Sequence, residues 1–304
     1  MIKQTLYFGN PTRLYIRNSQ LCMVVNEGKT DEEKIITRPI EDIGMVIIDS
    51  AQISLTSSVA SMLMENGAAL IVCDKRHLPS GLMLNIEGHT LQSERIRDQI
   101  SVSLPLKKQL WAQTVSAKII NQSKVLERFE LDKSGYLEKL ASKVKSGDSS
   151  NIEARAASYY WKLLLESFPA KTRRRDGDSP NELLNYGYTV VRAIAARAIS
   201  SVGLHPSIGL FHKNKYNAYC LADDIMEPYR PYVDIIVMEL NKSGKSLTLE
   251  SKEIRKAILE IITSDVRIGE QTRPLALAMN ETASSLYKCF SKISKTISYP
   301  QIEF

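Results

Sequence analysis

Over the first 85 residues, apolar and polar positions alternate in short runs broken by turn residues. Leu6-Tyr7-Phe8 runs into Gly9-Asn10-Pro11, and Leu14-Tyr15-Ile16 runs into Arg17-Asn18-Ser19. A period of two predicts strands there and over Leu21–Val25, Lys34–Arg38, Met45–Asp49, Ala69–Cys73 and Leu82–Ile86. One helix is expected among them, over Ser57–Glu65, with Thr56 or Ser57 to cap it and Gly67 to end it. After His89 the period becomes helical, opening on Leu91, Ile96 and Ile100 and continuing through Leu106, Leu110, Val115, Ile119 and Ile120. Further helices fit Ser150–Phe168, Pro180–Ser201, Leu221–Asn241, Leu249–Thr263 and Pro274–Lys295, with Gly and Pro breakers between them. The expected fold is α+β: a small N-terminal β-sandwich-like domain over residues 1–85, then a larger all-α domain over residues 86–304.

Composition adds limits. No run approaches the roughly 20 apolar residues that span a bilayer, and the N-terminus lacks the apolar core of a signal peptide. A soluble, cytoplasmic protein with no membrane partner is the expectation. Cys22, Cys73, Cys220 and Cys289 are scattered and form no CxxC pair, which argues against a zinc site or a disulfide framework. The net charge is +6 and lies unevenly. Residues 1–100 carry 10 Lys and Arg against 12 Asp and Glu, whereas residues 101–304 carry 30 against 22. The positive excess belongs to the helical part and suits a polyanion there.

The informative residues are polar groups on helix faces that should be apolar. Glu153 shares a face with Ala157, Tyr160 and Leu164, placing a carboxylate in an apolar and aromatic stripe. Burial there demands a partner or a metal, and the alternative is a glutamate at the edge of the stripe reaching water. In Leu221-Ala222-Asp223-Asp224-Ile225-Met226-Glu227-Pro228, Asp224 and Glu227 are three apart and Asp223 and Glu227 four apart, so either pair can share a helix face. A cation would relieve their repulsion, although an acidic first turn favoured by the helix dipole has the same look. Two histidines, His205 and His212, precede the cluster. A mixed oxygen and nitrogen set of this kind suits Mg²⁺ or Mn²⁺ better than zinc. Lys171-Thr172-Arg173-Arg174-Arg175 forms a basic run, and Lys213, Lys215 and Arg230 flank the histidine and acidic segments. Such residues neutralise phosphates.

Three segments then carry a family resemblance: Asn151-Ile152-Glu153-Ala154-Arg155 through Tyr160-Trp161, Ser179-Pro180-Asn181-Glu182 through Tyr188, and the stretch from Gly203-Leu204 through Gly209-Leu210-Phe211-His212 to Asp223-Asp224-Ile225-Met226-Glu227-Pro228-Tyr229-Arg230-Pro231. In order and spacing they resemble the CRISPR-associated integrase of spacer acquisition, in the branch found beside single-protein effector nucleases. The resemblance covers essentially the whole chain. It implies a metal site of Glu153, His212 and Glu227, with Asp224 as a further catalytic acid and Mg²⁺ or Mn²⁺ as cofactor. Many members have Asp where this chain has Glu227, a departure that lengthens the reach by one methylene.

The implied activity is metal-dependent endonuclease and integrase chemistry. A 3′-hydroxyl of incoming DNA attacks a phosphate at the repeat boundary, by transesterification. The implied partners are double-stranded and branched DNA and a second copy of the chain, joined through the β domain. A small ferredoxin-like protein completes a four-plus-two complex, and the effector nuclease is a further candidate. Arg173, Arg174, Arg175, Lys213 and Arg230 are the candidate DNA contacts. Two other readings compete: a stand-alone structure-specific nuclease with the same ligands, and a non-catalytic DNA-binding scaffold that needs none of them.

Overall fold

The computed structural model describes residues 3–26, 33–85, 87–169, 171–174, 179–244 and 246–304. The expected contacts of Arg175 and the end of the expected strand at Ile86 lie outside them. The chain divides into two compact units, Met1–Gly88 and His89–Phe304.

The first unit contains β1 (Gln4–Phe8), β2 (Thr12–Arg17), β3 (Gln20–Asn26), β4 (Glu33–Pro39), β5 (Ile43–Ile48), β6 (Ile53–Leu55), α1 (Ser57–Glu65), β7 (Ala69–Cys73) and β8 (Pro79–Met83). They form two four-stranded sheets, ordered β1-β5-β7-β8 and β4-β3-β2-β6. In the first, β1, β5 and β7 are parallel and β8 antiparallel. Every residue of β5 is buried, as expected of a central parallel strand, which explains its unbroken apolar run Ile43–Ile48. Leu14, Leu21 and Met23 from one sheet join Phe8, Ile43, Val46 and Leu70 from the other in a single core, with Val59 and Leu63 of α1. Alternation had predicted all of these strands but β6, whose three residues are too short to show a period. It had also set β8 three residues late.

The second unit holds α2 (Gln92–Ser101), α3 (Leu104–Arg128), α4 (Tyr136–Ala141), α5 (Ile152–Leu164), α6 (Asn181–Ser201), α7 (Cys220–Met226), α8 (Arg230–Lys242), α9 (Lys252–Leu259) and α10 (Leu275–Phe290). It also has a small antiparallel sheet of β9 (Asp265–Ile268), β10 (Gln271–Pro274) and β11 (Pro300–Gln301), which the helical reading passed over. The expected helix over Leu221–Asn241 is interrupted: a single 3₁₀ turn, Glu227–Tyr229, joins α7 to α8. Pro228 has no N–H to continue an α-helical ladder.

Two long helices organise this unit. α3 packs on α4, α5, α8 and the 3₁₀ turn, and α6 packs on α7, α8, α9 and α10. The approach of α6 to its neighbours is close at Gly187, where a Cβ would stand 2.3 Å from Val233 Cγ1 and 3.2 Å from Ile258 Cγ2. Gly187→Ala is therefore expected to cost about 1–3 kcal/mol through overpacking, measured by urea denaturation. Wild-type stability in that variant would mean that α6 and α8 lie further apart.

Candidate metal centre

α3 buries a stripe made by Leu110, Trp111, Thr114, Val115, Lys118, Ile119, Asn121, Gln122, Val125 and Leu126. A lysine in such a stripe has to be paired. The Lys118 ammonium lies 2.6 Å from Glu153 Oε1 and 2.7 Å from Glu227 Oε2. Its side chain is only 10% exposed, and that of Glu227 8%. Lys118 is the residue that inspection of the sequence missed.

Each carboxylate is held from behind. Asp148 accepts from the backbone N–H groups of Ile152 (2.8 Å) and Glu153 (2.9 Å), which caps α5 and fixes the start of its first turn. The buried face of α5 is Ile152, Ala156, Tyr160 and Leu164, so Glu153 stands at its edge, one residue off the expected stripe. Glu227 opens the 3₁₀ turn. One turn along α3 from Lys118, the Asn121 amide donates to Pro228 O (2.8 Å) and Pro300 O (3.0 Å) and accepts from Ile302 N (3.1 Å). That buried amide ties the turn to α3. Arg230 Nη1 donates to Glu227 Oε1 at 2.9 Å, and its guanidinium centre lies 4.2 Å from the centre of the Tyr188 ring. Tyr188 and Tyr160 in turn donate to the buried Asp234. Arg230, a candidate DNA contact, is thus built into the carboxylate's support.

Burial works against the Glu227 carboxylate, but Arg230 and then Lys118 outweigh it and hold its pKa down to about 2. Burial also works against the Lys118 ammonium, and Glu227 and Glu153 overcome it to raise its pKa. Two carboxylates facing Lys118 and Arg230 form a neutral cluster.

Asp224 is wholly buried. It accepts from the backbone N–H groups of Leu210 (2.6 Å), Phe211 (3.0 Å) and His212 (3.2 Å), and its Oδ1 lies 2.7 Å from His212 Nδ1. The carboxylate gathers the loop around itself and orients the imidazole. Gly209 makes this possible: a Cβ there would stand 2.4 Å from His212 O and 2.8 Å from Asp224 Oδ2. Phe211 stacks on buried Trp111 at 4.4 Å, and Trp111 meets the His212 ring edge-on at 5.8 Å. Asp223 is a separate latch, pairing with Arg192 Nε (2.6 Å) and Asn217 Nδ2 (2.7 Å). His205 lies apart, bonded through Nδ1 to Ser207 Oγ at 2.8 Å.

Among the described residues no three His, Cys, Asp or Glu side chains converge on one point. Glu153 and Glu227 meet through Lys118, and His212 is held by Asp224. The donor chemistry fits a divalent ion. Two carboxylates and one imidazole are donor types that suit Mg²⁺ or Mn²⁺. A histidine whose Nδ1 is tied to a carboxylate keeps Nε2 free to bind metal when neutral. Glu227 Oε2 is buried, and its contact is the Lys118 ammonium at 2.7 Å.

The basic residues divide. Arg173 donates to Asn181 Oδ1 (3.0 Å) and to Asn185, and sits over Trp161 and Tyr188 at 5.4 and 5.5 Å. It braces the loop after α5. Arg174 and Lys213 are exposed. Beside His212 a cavity of about 180 Å³ is lined by Lys107, Lys108, Trp111, Phe211 and Lys213 among others. Burial and then the charge of Lys213 lower the pKa of Lys107, against the opposing charge of Asp224.

The family model described as "CRISPR associated protein Cas1" matches residues 7–260. The chain belongs to the Cas1 family. It is 34% identical, over 99% of its length and 97% of the relative's, to the CRISPR-associated endonuclease Cas1 of Neisseria meningitidis serogroup C (strain 8013). It shares its fold with a casposase bound to integration product, at a TM-score of 0.79 and 20% identity, covering 98% of this chain and 92% of that one. It also shares it with a chain of a Cas6-RT-Cas1–Cas2 complex, at a TM-score of 0.74 and 19% identity, covering 97% of this Cas1-family chain and 36% of that one.

The hydrogen bond to Asp224 is the main cause that raises the His212 pKa above the ordinary 6.5. A raised histidine pKa contributes stability that is full below about 6.5 and is lost as pH rises through the folded value. His212 is expected to titrate above 6.5 by NMR, and to drop in Asp224→Asn, where the charge is gone. An unchanged midpoint would show that Asp224 does not hold this ring.

Proposed function

We propose that this chain is the metal-dependent integrase of CRISPR spacer acquisition. The observation that carries the reading is the meeting of Glu153 and Glu227, from different helices, at one cation position. The family membership and the named endonuclease relative support it, as does the shared fold with a casposase bound to integration product.

The reaction exchanges one phosphodiester for another. A 3′-hydroxyl oxygen of the incoming DNA bonds to a phosphorus at the repeat boundary, the bond from that phosphorus to its former oxygen breaks, and the departing oxygen takes up a proton. No protein nucleophile is needed. A bound Mg²⁺ or Mn²⁺ would supply Lewis acidity at the phosphate and lower the pKa of the attacking hydroxyl. Glu153, Glu227 and the Nε2 of His212 would hold it. Asp224 keeps His212 in the tautomer that leaves Nε2 free, and Arg230 keeps Glu227 ionised and in place. Lys107, Lys108 and Lys213 would neutralise phosphates beside the site, positioning DNA without reading its sequence. Arg174 is a further contact of that kind.

In this reading the chain acts as a homodimer through its β domain. A small ferredoxin-like partner would bridge two dimers. The likeness to a chain of a Cas1–Cas2 complex supports a partner of this type. The setting would be the cytoplasm. No helix among the described residues is long and apolar enough to cross a membrane.

On a branched DNA substrate with Mg²⁺ or Mn²⁺, the wild type is expected to join strands. His212→Ala and Glu227→Ala should each lose at least roughly a hundredfold in rate, as expected where a metal supplies several kcal/mol to the transition state. Hydrolysis without joining would favour the nuclease reading. DNA binding without chemistry in either ion would favour the scaffold.

A further inference from the structure

Lys118 has no place in the donor set, yet it stands nearer to both carboxylates than anything else the structure gives them. Its ammonium is 2.6 Å from Glu153 Oε1 and 2.7 Å from Glu227 Oε2. A divalent ion bound to the same two oxygens at about 2.0–2.2 Å would occupy nearly the same volume. It would also place a double positive charge beside a single one within about 3 Å, in a site where solvent screens poorly. The two cations exclude each other there.

We propose that Lys118 is the resident cation of the metal centre: it bridges Glu153 and Glu227 in the metal-free protein, and a divalent ion binds only by displacing it. The proposal rests on the metal centre described under the proposed function, and goes beyond it by naming what the ion competes with. Three features support it. Without any cation, two carboxylates from separate helices would face each other in a largely dry site, which is costly. With Lys118 and Arg230 in place, the cluster is neutral and the apo site keeps its shape. Exposure is graded, from 27% for the Glu153 side chain to 8% for Glu227. Glu153 is therefore the more accessible of the two carboxylates to an incoming ion.

Exchange of a single for a double charge leaves the centre one unit more positive just where a phosphate has to approach. Metal loading and DNA binding then reinforce each other, while the metal-free protein keeps its carboxylates paired.

The test is a titration of Mn²⁺ followed by the EPR signal of the free ion, on the intact chain without DNA. It compares wild type with Lys118→Met and Lys118→Gln. Melting curves by circular dichroism show which variants fold, and Gln keeps an amide to bond the carboxylates should the Met variant fail. The expected result is Mn²⁺ binding at least roughly tenfold tighter in the folded variants, because the competing charge is gone. The variants should also melt lower than wild type without metal and gain more on its addition. Equal or weaker Mn²⁺ binding in a folded variant overturns the proposal and makes Lys118 a support of the metal-bound site. Absence of Mn²⁺ binding by wild type and both variants at millimolar concentration overturns the metal centre itself.

Discussion

Two carboxylates share one ammonium at the junction of three helices, and much of the helical unit is arranged to make that tolerable. Isolated, the Lys118 or Glu227 charge would be costly in so enclosed a place. Together they are stable only if their backbones are held in register. Asp148 sets the start of α5, Asn121 ties the Glu227 turn to α3, and Arg230 closes the far oxygen of Glu227. Behind Arg230, Tyr188 and Tyr160 converge on Asp234, whose carboxyl burial raises to a pKa of about 6 in spite of both phenols. The ring of Tyr188 and a buried carboxyl therefore back the arginine that positions Glu227. The motif is short in space but draws on α3, α5, α6 and α8.

The acids divide by role, although they lie within five residues of one another. Asp224 spends its oxygens on three backbone N–H groups and His212, Asp223 pairs with Arg192 and Asn217, and only Glu227 faces the cation position. Glu227 opens the 3₁₀ turn between α7 and α8, in which Pro228 has no N–H to continue the α-helical ladder. The arginines divide likewise. Arg173 and Arg230 lie over aromatic rings inside the fold, so the positive charge beside His212 falls to exposed Lys108 and Lys213 and half-buried Lys107.

Much of this was legible in the sequence. Alternation placed most strands of the first unit, because buried parallel and half-buried antiparallel strands both mark themselves in apolar residues. The helical period found the long helices, and Glu153 stood out as a carboxylate near an apolar stripe. Lys118 could have been found by the same criterion: it lies seven residues after Trp111 and three after Val115, on one face of a helix. It was missed because a lysine there is ordinarily read as a stem reaching water. Asn121 and Asp234 could not be read at all, since their partners lie about a hundred residues or more away, or on other helices. The small sheet of β9–β11 escaped because its strands have four residues or fewer.

In the proposed metal centre, Glu153 and Glu227 define a cation position that a divalent ion takes from Lys118. Anomalous diffraction from crystals soaked in Mn²⁺ tests it most directly. A peak is expected at bonding distance from both carboxylates, with His212 joining them and the Lys118 ammonium turned away. A peak elsewhere, or Lys118 still bridging the two carboxylates at saturating Mn²⁺, would contradict it.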